Sequence, residues 1–447
     1  MAPLRRAPAA NATRSEPYTG GGGGSLLSRC RRARRAVLDG GDEEQPLEEH
    51  GVQVTTSALL HDDALAAVFA RLRDDGPAVV RCAVACRRWA RVVFQDAAAL
   101  SRALPPLGAL ALGFFHREDD GNNGRTGPFF VPTTSGSRLL GSTASSLLDG
   151  VHGIDLDRSR PVASRNGRLV LELPVREGSL GLCVCDPMTG AADVLPPLSG
   201  DDWPGGYYAC ALLTGDDVDS PVSYFRLLLV YNRRDFTALR RYASDTGSWG
   251  PEPRPTCWLR HMAPATALRG VVYFSVDRHA FGVRLDGASA SSHKLEQHII
   301  SYVTPKRFPV STSRYSVTGV SPDGRLYKVA MYLVANKTVA VQTFSLRNEA
   351  CNHDIFTKRW EEQEWSKAIR LDQFDVTRAT AMACWWYSEK SRVLFFTLGE
   401  GSSVRGTFTL NMETQALEKV ADRDSWTNFC GYEMGREVYF KSLVFPP

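Results

Sequence analysis

Histidine, cysteine and paired carboxylates are the side chains best able to bind a metal, act as nucleophiles or pass protons, and this chain has nine histidines and ten cysteines. Their spacing assembles no reactive set. No HExxH pair is present, and the histidines nearest recognisable elements, His50, His61 and His116, border loops and read as surface residues. No CxxC pair occurs; Cys82 and Cys86 are four apart on a predicted helix, and Cys183 and Cys185 alternate along a predicted strand, so small reduced core thiols are expected. Asp119-Asp120, Asp201-Asp202 and Asp216-Asp217 fall in loops rich in glycine or proline, where solvation is expected to account for them. No GxSxG elbow or phosphate loop ending in Gly-Lys-Ser/Thr is found, and Gly399-Glu400-Gly401, with Val404 at the third glycine's place, reads as a hairpin turn. Catalysis, a cofactor and a bound metal are therefore not expected, with a propeller-type enzyme using loop carboxylates as a distant alternative.

The elements that would position any site divide the chain sharply. Residues 1–56 carry the Gly20–Gly24 run and charge in two blocks: eight arginines and one acid up to Leu38, then six acids from Asp39 to Glu49. Such a segment buries too little apolar surface to offset its ordering entropy and is expected to be a disordered, solvated tail. Its cluster Arg29, Arg31, Arg32, Arg34 and Arg35 is open to reading as an import signal, and the acid-poor start as a transit peptide.

Residues 57–104 have the period of helices. Asp62 and Asp63 suit a helix N-terminus, and Leu65, Val68, Phe69 and Leu72 follow at i, i+3, i+4 and i+7. Asp74-Asp75-Gly76-Pro77 ends that helix. A second carries Val80, Ala83, Val84 and Arg87, with Trp89 near its end, and Asp96 is placed to cap a third that Pro105-Pro106 stops. Fewer than about 50 residues is too few for a robust core, so this unit is expected to complete itself on a partner.

From about Leu110 onward the period becomes that of strands. Arg168–Leu173, Phe225–Tyr231, Val271–Val276, Leu326–Leu333, Val339–Leu346, Val393–Leu398 and Glu437–Phe440 are short runs rich in β-branched and aromatic residues. Turn residues separate them, among them Asn166-Gly167, Asp186-Pro187, Asp245-Thr246-Gly247, Asp286-Gly287 and Asp323-Gly324. The pieces repeat weakly: Cys185-Asp186-Pro187-Met188-Thr189-Gly190 is echoed by Ser244-Asp245-Thr246-Gly247 and by Asn411-Met412-Glu413-Thr414. Asn166-Gly167-Arg168-Leu169 is echoed by Asp323-Gly324-Arg325-Leu326. The fold class expected is mainly β with a small N-terminal α-helical domain, the β part being a propeller of six or seven blades; a large β-sandwich is the alternative. Trp385-Trp386-Tyr387 and Tyr207-Tyr208 are expected to pack between blades, with a target-binding face as the second possibility.

The segment from Ala58 to Leu72 and the sequence Cys86-Arg87-Arg88-Trp89 resemble an F-box, whose opening helix and Cys-basic-x-Trp signature they match. Leu107–Phe115 and the Asn166–Leu169 and Cys185–Gly190 segments are similar to the grass-type F-box proteins of plants. The resemblance implies a tail at 1–56, an F-box at 57–104, a linker at 105–115 and a recognition domain at 116–447. It also implies a non-catalytic role: substrate adaptor of a Skp–cullin–F-box ubiquitin ligase, involved in ubiquitination and protein degradation. Leu60, His61, Leu65, Val68, Phe69, Leu72, Val80, Val84, Cys86 and Trp89 would dock the Skp-type adaptor, and through it the cullin, while the β domain binds a target protein. A non-degradative F-box scaffold is the alternative. His61 departs from the family's Leu-Pro step; a tolerated substitution at the rim of the contact is expected, with weakened or pH-sensitive docking as the alternative.

Composition agrees with an ordinary globular chain, at 43% hydrophobic and 23% charged residues over 447. A net charge of +4 is too small to make nucleic acid the expected partner. No apolar run reaches the ~18 residues of a membrane span, and no apolar leader segment opens the chain, so a cytoplasmic or nuclear location is expected. No lysine precedes Lys294.

Overall fold

The computed structural model describes residues 61–72, 82, 86–95, 110–117, 127–140, 147–218, 224–252, 265–268, 270–276, 279–284, 297–301, 316–320, 324–334, 338–345, 369–377 and 379–435. The strands expected at Glu437–Phe440 and the turn at Asp286-Gly287 lie outside them, as do residues 1–56.

Two helices, Asp62–Arg71 and Arg87–Gln95, form the described part of the N-terminal unit. The second differs from expectation. Cys82 is helical but Cys86 is not, so Arg87 starts a new helix and Trp89 sits in its first turn. The reason is local: the Cys86 carbonyl accepts from the Ala90 N–H, and its Sγ accepts from the Trp89 N–H at 3.5 Å, the work of an N-cap.

Downstream, the described residues form 24 strands organised into six sheets. The chain enters on β1 (Ala111–Arg117) and β2 (Pro128–Pro132), followed by a short helix, Thr134–Leu140. Blade 1 holds β3 (Arg160–Arg165), β4 (Arg168–Leu173), β5 (Ser179–Cys185) and β6 (Ala192–Val194), with β7 (Leu198–Ser199) also on β5. Blade 2 holds β8 (Tyr208–Thr214), β9 (Phe225–Asn232), β10 (Thr237–Ala243) and β11 (Ser248–Trp249). Blade 3 is β12 (Ala265–Leu268), β13 (Val271–Val276), β14 (His279–Arg284) and β15 (Gln297–Ser301). Blade 4 is β16 (Ser316–Val320), β17 (Leu326–Val334), β18 (Thr338–Ser345) and β19 (Ile369–Leu371). Blade 5 is β20 (Met382–Ser388), β21 (Val393–Leu398), β22 (Gly406–Asn411) and β23 (Leu417–Ala421). The last strand, β24 (Thr427–Glu433), pairs antiparallel with β1, which pairs with β2.

The first strands of the blades close a ring. β24 packs beside β3, β3 beside β8, β8 beside β12, β12 beside β16, β16 beside β20, and β20 beside β24. This is a six-bladed β-propeller whose sixth blade combines strands from opposite ends of the domain. The linker expected at 105–115 is correspondingly shorter, because Ala111–Phe115 are buried in β1. Their apolar run does not alternate because both faces of β1 are covered, by blade 1 on one side and blade 5 on the other.

The weak repeats found in the sequence occupy equivalent places. Asp186–Gly190, Asp245–Gly247 and Asn411–Thr414 all connect the third strand of a blade to the fourth. Asp186 Oδ1 accepts from the Met188 N–H and Asn411 Oδ1 from the N–H groups of Glu413 and Thr414, all at 2.9 Å, so a short polar side chain shapes the turn. Asn166-Gly167 and the Gly324 turn connect the first strand to the second. Both Asn166 (φ 50°) and Gly167 (φ 82°) are left-handed, as a two-residue hairpin matching the strand twist requires.

Aromatic residues fill the seams between blades where an inner strand carries glycine. A side chain at Gly431 of β24 would meet the Trp386 ring at 2.0 Å, and one at Gly319 of β16 would meet the Tyr387 ring at 2.5 Å. The neighbours Trp386 and Tyr387 thus serve opposite seams of blade 5, aided by a register shift between Cys384 and Trp386. Trp385 stacks on Phe429 at 5.4 Å. The expected packing role of this triplet is what its side chains perform.

Candidate functional site

Three places bring chemically distinctive side chains together: the helical unit and the two ends of the propeller axis.

In the helical unit, Leu65 and Phe69 are buried with Val92 and Val93. Phe69 meets Trp89 edge to face at 5.7 Å. Asp62 joins the helices by accepting from Arg88 Nε at 2.8 Å and from Arg91 Nη2 at 3.3 Å, and the Arg88 hydrogen bond holds its carboxyl below the usual range. Val68, by contrast, is 42% exposed, and Leu72 lies one turn further along the same helix, half-buried. His61 gives the helix its first carbonyl acceptor, while its imidazole stands 84% exposed with Nδ1 3.2 Å from Asp63. Cys86 is exposed. Leu60, Val80 and Val84 lie outside the described residues. Of the expected docking residues, then, Leu65 and Phe69 face inward, whereas His61, Val68 and Cys86 are available to a partner.

At one end of the axis, the C-terminal ends of the inner strands converge on Arg165. Its Nε donates to both oxygens of Asp217 at 2.9 Å, its Nη1 to Glu389 at 3.1 Å and its Nη2 to the Ala267 carbonyl at 3.1 Å. Asp217 also accepts from the Thr214 N–H at 2.9 Å and from Asn166 Nδ2 at 3.3 Å. Beside this cluster, Glu433 accepts from Ser388 Oγ at 2.5 Å and from the Ser391 N–H and Oγ at 2.6 Å. Four blades are stitched through Arg165 alone. Burial works against the Arg165 charge, but the Asp217 and Glu389 carboxylates overcome it and raise its pKa. Burial likewise works against the Asp217 charge, and Arg165 prevails, holding that carboxyl low. Glu389 goes the other way: burial raises it, Arg165 offsets this only in part, and the nearby Asp217 and Glu433 add to the rise.

The partners of Asp217 correct the expectation that solvation accounts for that acid. The Asp217 side chain is 12% exposed. Asp217 lies in the short helix Gly215–Val218 that follows β8. Asp202 pairs with Arg240 but remains 54% exposed, in keeping with a solvated acid. The cavity left beside Arg165 measures about 40 Å³, room for a few water molecules at most. This end of the axis is plugged.

At the other end, where β3 and β8 begin, the described residues leave a groove of about 300 Å³ between β3, β8 and the 174–179 turn. On its floor Glu172 accepts from Arg160 Nε at 2.8 Å and from the Tyr208 hydroxyl, and the Arg160 guanidinium lies over the Tyr208 ring, 5.4 Å from its centre. On its rim stand Val175 at 44% exposed, Trp203 at 38% and, next to the lining residue Gly206, Tyr207 at 95%. Neither the plug nor the groove was among the expected sites. Arg165 precedes the Asn166-Gly167 turn and Glu389 follows β20, so aligning the turns after each inner strand would have placed both at the axis. The groove has no such signal beyond Tyr207-Tyr208.

No protein-family model matches the chain, and no curated protein matches it. Among solved structures, TolB from Acinetobacter baumannii is similar over 71% of this chain, at 9% identity and a TM-score of 0.40; the chain spans 65% of that protein's length. SapL1 lectin, solved with alpha methyl fucoside, is similar over 70% of this chain and 98% of its own, at 11% identity and a TM-score of 0.36. AofleA from Arthrobotrys oligospora matches 63% and 78%, at 10% identity and a TM-score of 0.32.

Proposed function

We propose that this chain is the substrate-recognition subunit of a Skp–cullin–F-box ubiquitin ligase. Residues 57–104 dock a Skp-type adaptor, which carries the cullin, and the propeller holds the target. The observation that carries this reading is the helical unit. Its Cys86–Trp89 signature caps a helix and packs Trp89 on Phe69, yet Val68 at the pair's outer side remains 42% exposed. A unit this small, with an apolar side chain left facing outward, gains most by completing its core on another protein. The ligase reading needs no reactive side chain in this chain, since rate comes from holding target and ubiquitin-loaded enzyme at high effective concentration.

Co-purification of the full chain with a Skp-type adaptor and cullin tests this. Val68→Asp places a charge where an apolar contact is required, and is expected to weaken adaptor association more than about tenfold. The unfolding transition of the chain should stay where it is, because that side chain is exposed. Undiminished association of the variant removes the F-box assignment. Leu65 and Phe69 are poorer probes, being buried within the pair.

The arginine-only composition before Lys294 acquires a structural meaning in this setting. Blades 1 and 2, β1 and β2, and the helical unit offer no lysine to a ubiquitin-loaded enzyme, whereas blades 4 and 5 present Lys328, Lys390 and Lys419. Isopeptide remnants on the self-modified chain are expected only from Lys294 onward; a remnant mapped upstream contradicts this.

A further inference from the structure

We propose that the groove at the end of the axis opposite Arg165 binds an acidic peptide segment carrying a large apolar side chain. The groove takes contributions from four arginines, Arg117, Arg158, Arg160 and Arg176, against two acids, Glu172 and Glu177. Arg160 and Glu172 neutralise each other on the floor. Arg158 and Arg176 remain exposed at the rim, and Arg117 Nε is buried with no hydrogen-bond partner among the described residues. A buried guanidinium N–H without an acceptor is costly, and a carboxylate entering the groove would supply one. Apolar recognition is provided by Val175 and Trp203, with Tyr207 adjoining, three of the few large apolar side chains left exposed among the described residues.

The rim is also preorganised, which lowers the ordering cost of binding. Arg233 Nη1 donates to the Trp203 carbonyl at 2.7 Å and Nη2 to the Asp201 carbonyl at 2.6 Å and to Glu252 at 2.8 Å. Arg240 holds Asp202 from the same side. The turn presenting Trp203 is thus fastened to blade 2. A volume of about 300 Å³ is at the lower end for ligand pockets and suits one anchoring side chain with its flanking backbone. In the adaptor reading this segment belongs to the target, and the proposal rests on that reading for the identity of its occupant.

The test is fluorescence anisotropy of the full chain with a labelled peptide of sequence DEDFLEDE, its lysine counterpart KKKFLKKK, and an oligothymidylate. The acidic peptide should bind, with affinity falling as salt rises, and the lysine peptide should not. The double variant Arg158→Glu, Arg176→Glu should weaken binding more than about tenfold, and Trp203→Ala about fivefold or more. All of these residues are at the surface, so circular dichroism should report unchanged folding. Failure of the wild-type chain to bind the acidic peptide overturns the proposal, as does equal binding of both peptides, insensitivity to the arginine reversals, or displacement of the peptide by the oligothymidylate. Val68→Asp should leave peptide binding intact while removing adaptor association, so the groove and the F-box reading fail separately.

Discussion

Arg165→Leu is expected to lower the stability of the propeller by about 3–5 kcal/mol, measured as a shift of the denaturant midpoint at neutral pH. The cost comes from the groups left behind more than from the bonds removed. Asp217 and Glu389, with side chains 12% and 17% exposed, would lose the guanidinium they share. Replacing Arg165, Asp217 and Glu389 together by apolar residues of similar volume should recover most of the loss, since desolvation of all three is then avoided. A full loss in the triple variant would show that the hydrogen bonds themselves, and not the stranded charges, hold the plug.

The two carboxylates give the plug opposite pH dependences. Asp217 titrates below its unfolded value, so the stability it contributes is complete above the ordinary carboxylate range and declines as the pH falls through it. Glu389 titrates above its unfolded value, so its effect is lost as pH rises from the ordinary range through the raised one. Glu389→Gln fixes the neutral form. Relative to wild type, this variant should therefore gain stability as pH rises across that window, and parallel pH profiles for the two proteins would refute the assignment.

Phe114→Ala is the second substitution with a large expected effect, about 3–5 kcal/mol. Phe114 is fully buried in β1, stacked on Phe429 at 4.3 Å and edge to face with Trp426 at 4.8 Å and Phe395 at 6.2 Å. These partners come from β24, the turn before it and β21, so the phenyl ring joins the first strand of the domain to the last strand and to blade 5. Its loss should lower the midpoint of thermal unfolding. Phe129→Ala in the paired strand β2, at a position 38% exposed, should change the midpoint far less. Similar shifts in the two variants would mean that β1 does not carry the closure.

Much of this architecture was legible in the sequence because propeller strands obey local rules. Val271–Val276 and Val393–Leu398 announce themselves by β-branched and aromatic runs bounded by turn residues, and the structure places strands over those same spans. The echo of Asp186–Gly190 in Asn411–Thr414 is a local property too, since each turn is shaped by its own side chain. What escaped the sequence is non-local. Arg165 meets a partner 52 residues away in Asp217 and another 224 residues away in Glu389, and neither separation leaves a mark in spacing. Asp217 reads as a loop acid, but it lies in the short helix Gly215–Val218, and only the ring brings an arginine to it. Ala111–Phe115 read as a linker because one of its two partner strands, β24, arrives more than 300 residues later. In the helical unit the apolar stripe was visible, but not which members face inward: Leu65 and Phe69 versus Val68 depends on where Trp89 enters, and the break at Cys86 moved that entry.

The sixth blade also sets a timetable for synthesis. β1 leaves the ribosome before any of the strands that cover it, and β24 follows some 310 residues behind, by the register of their pairing. At 5–20 residues per second the delay is roughly 15–60 s. Phe115 gains its cover early, from β2 and blade 1, whereas Phe114 waits for blade 5 and β24, and the β24 edge of β1 stays unpaired for the whole interval. Closing the ring is therefore a late event in synthesis, and until then one edge of β1 is open to pairing with another chain.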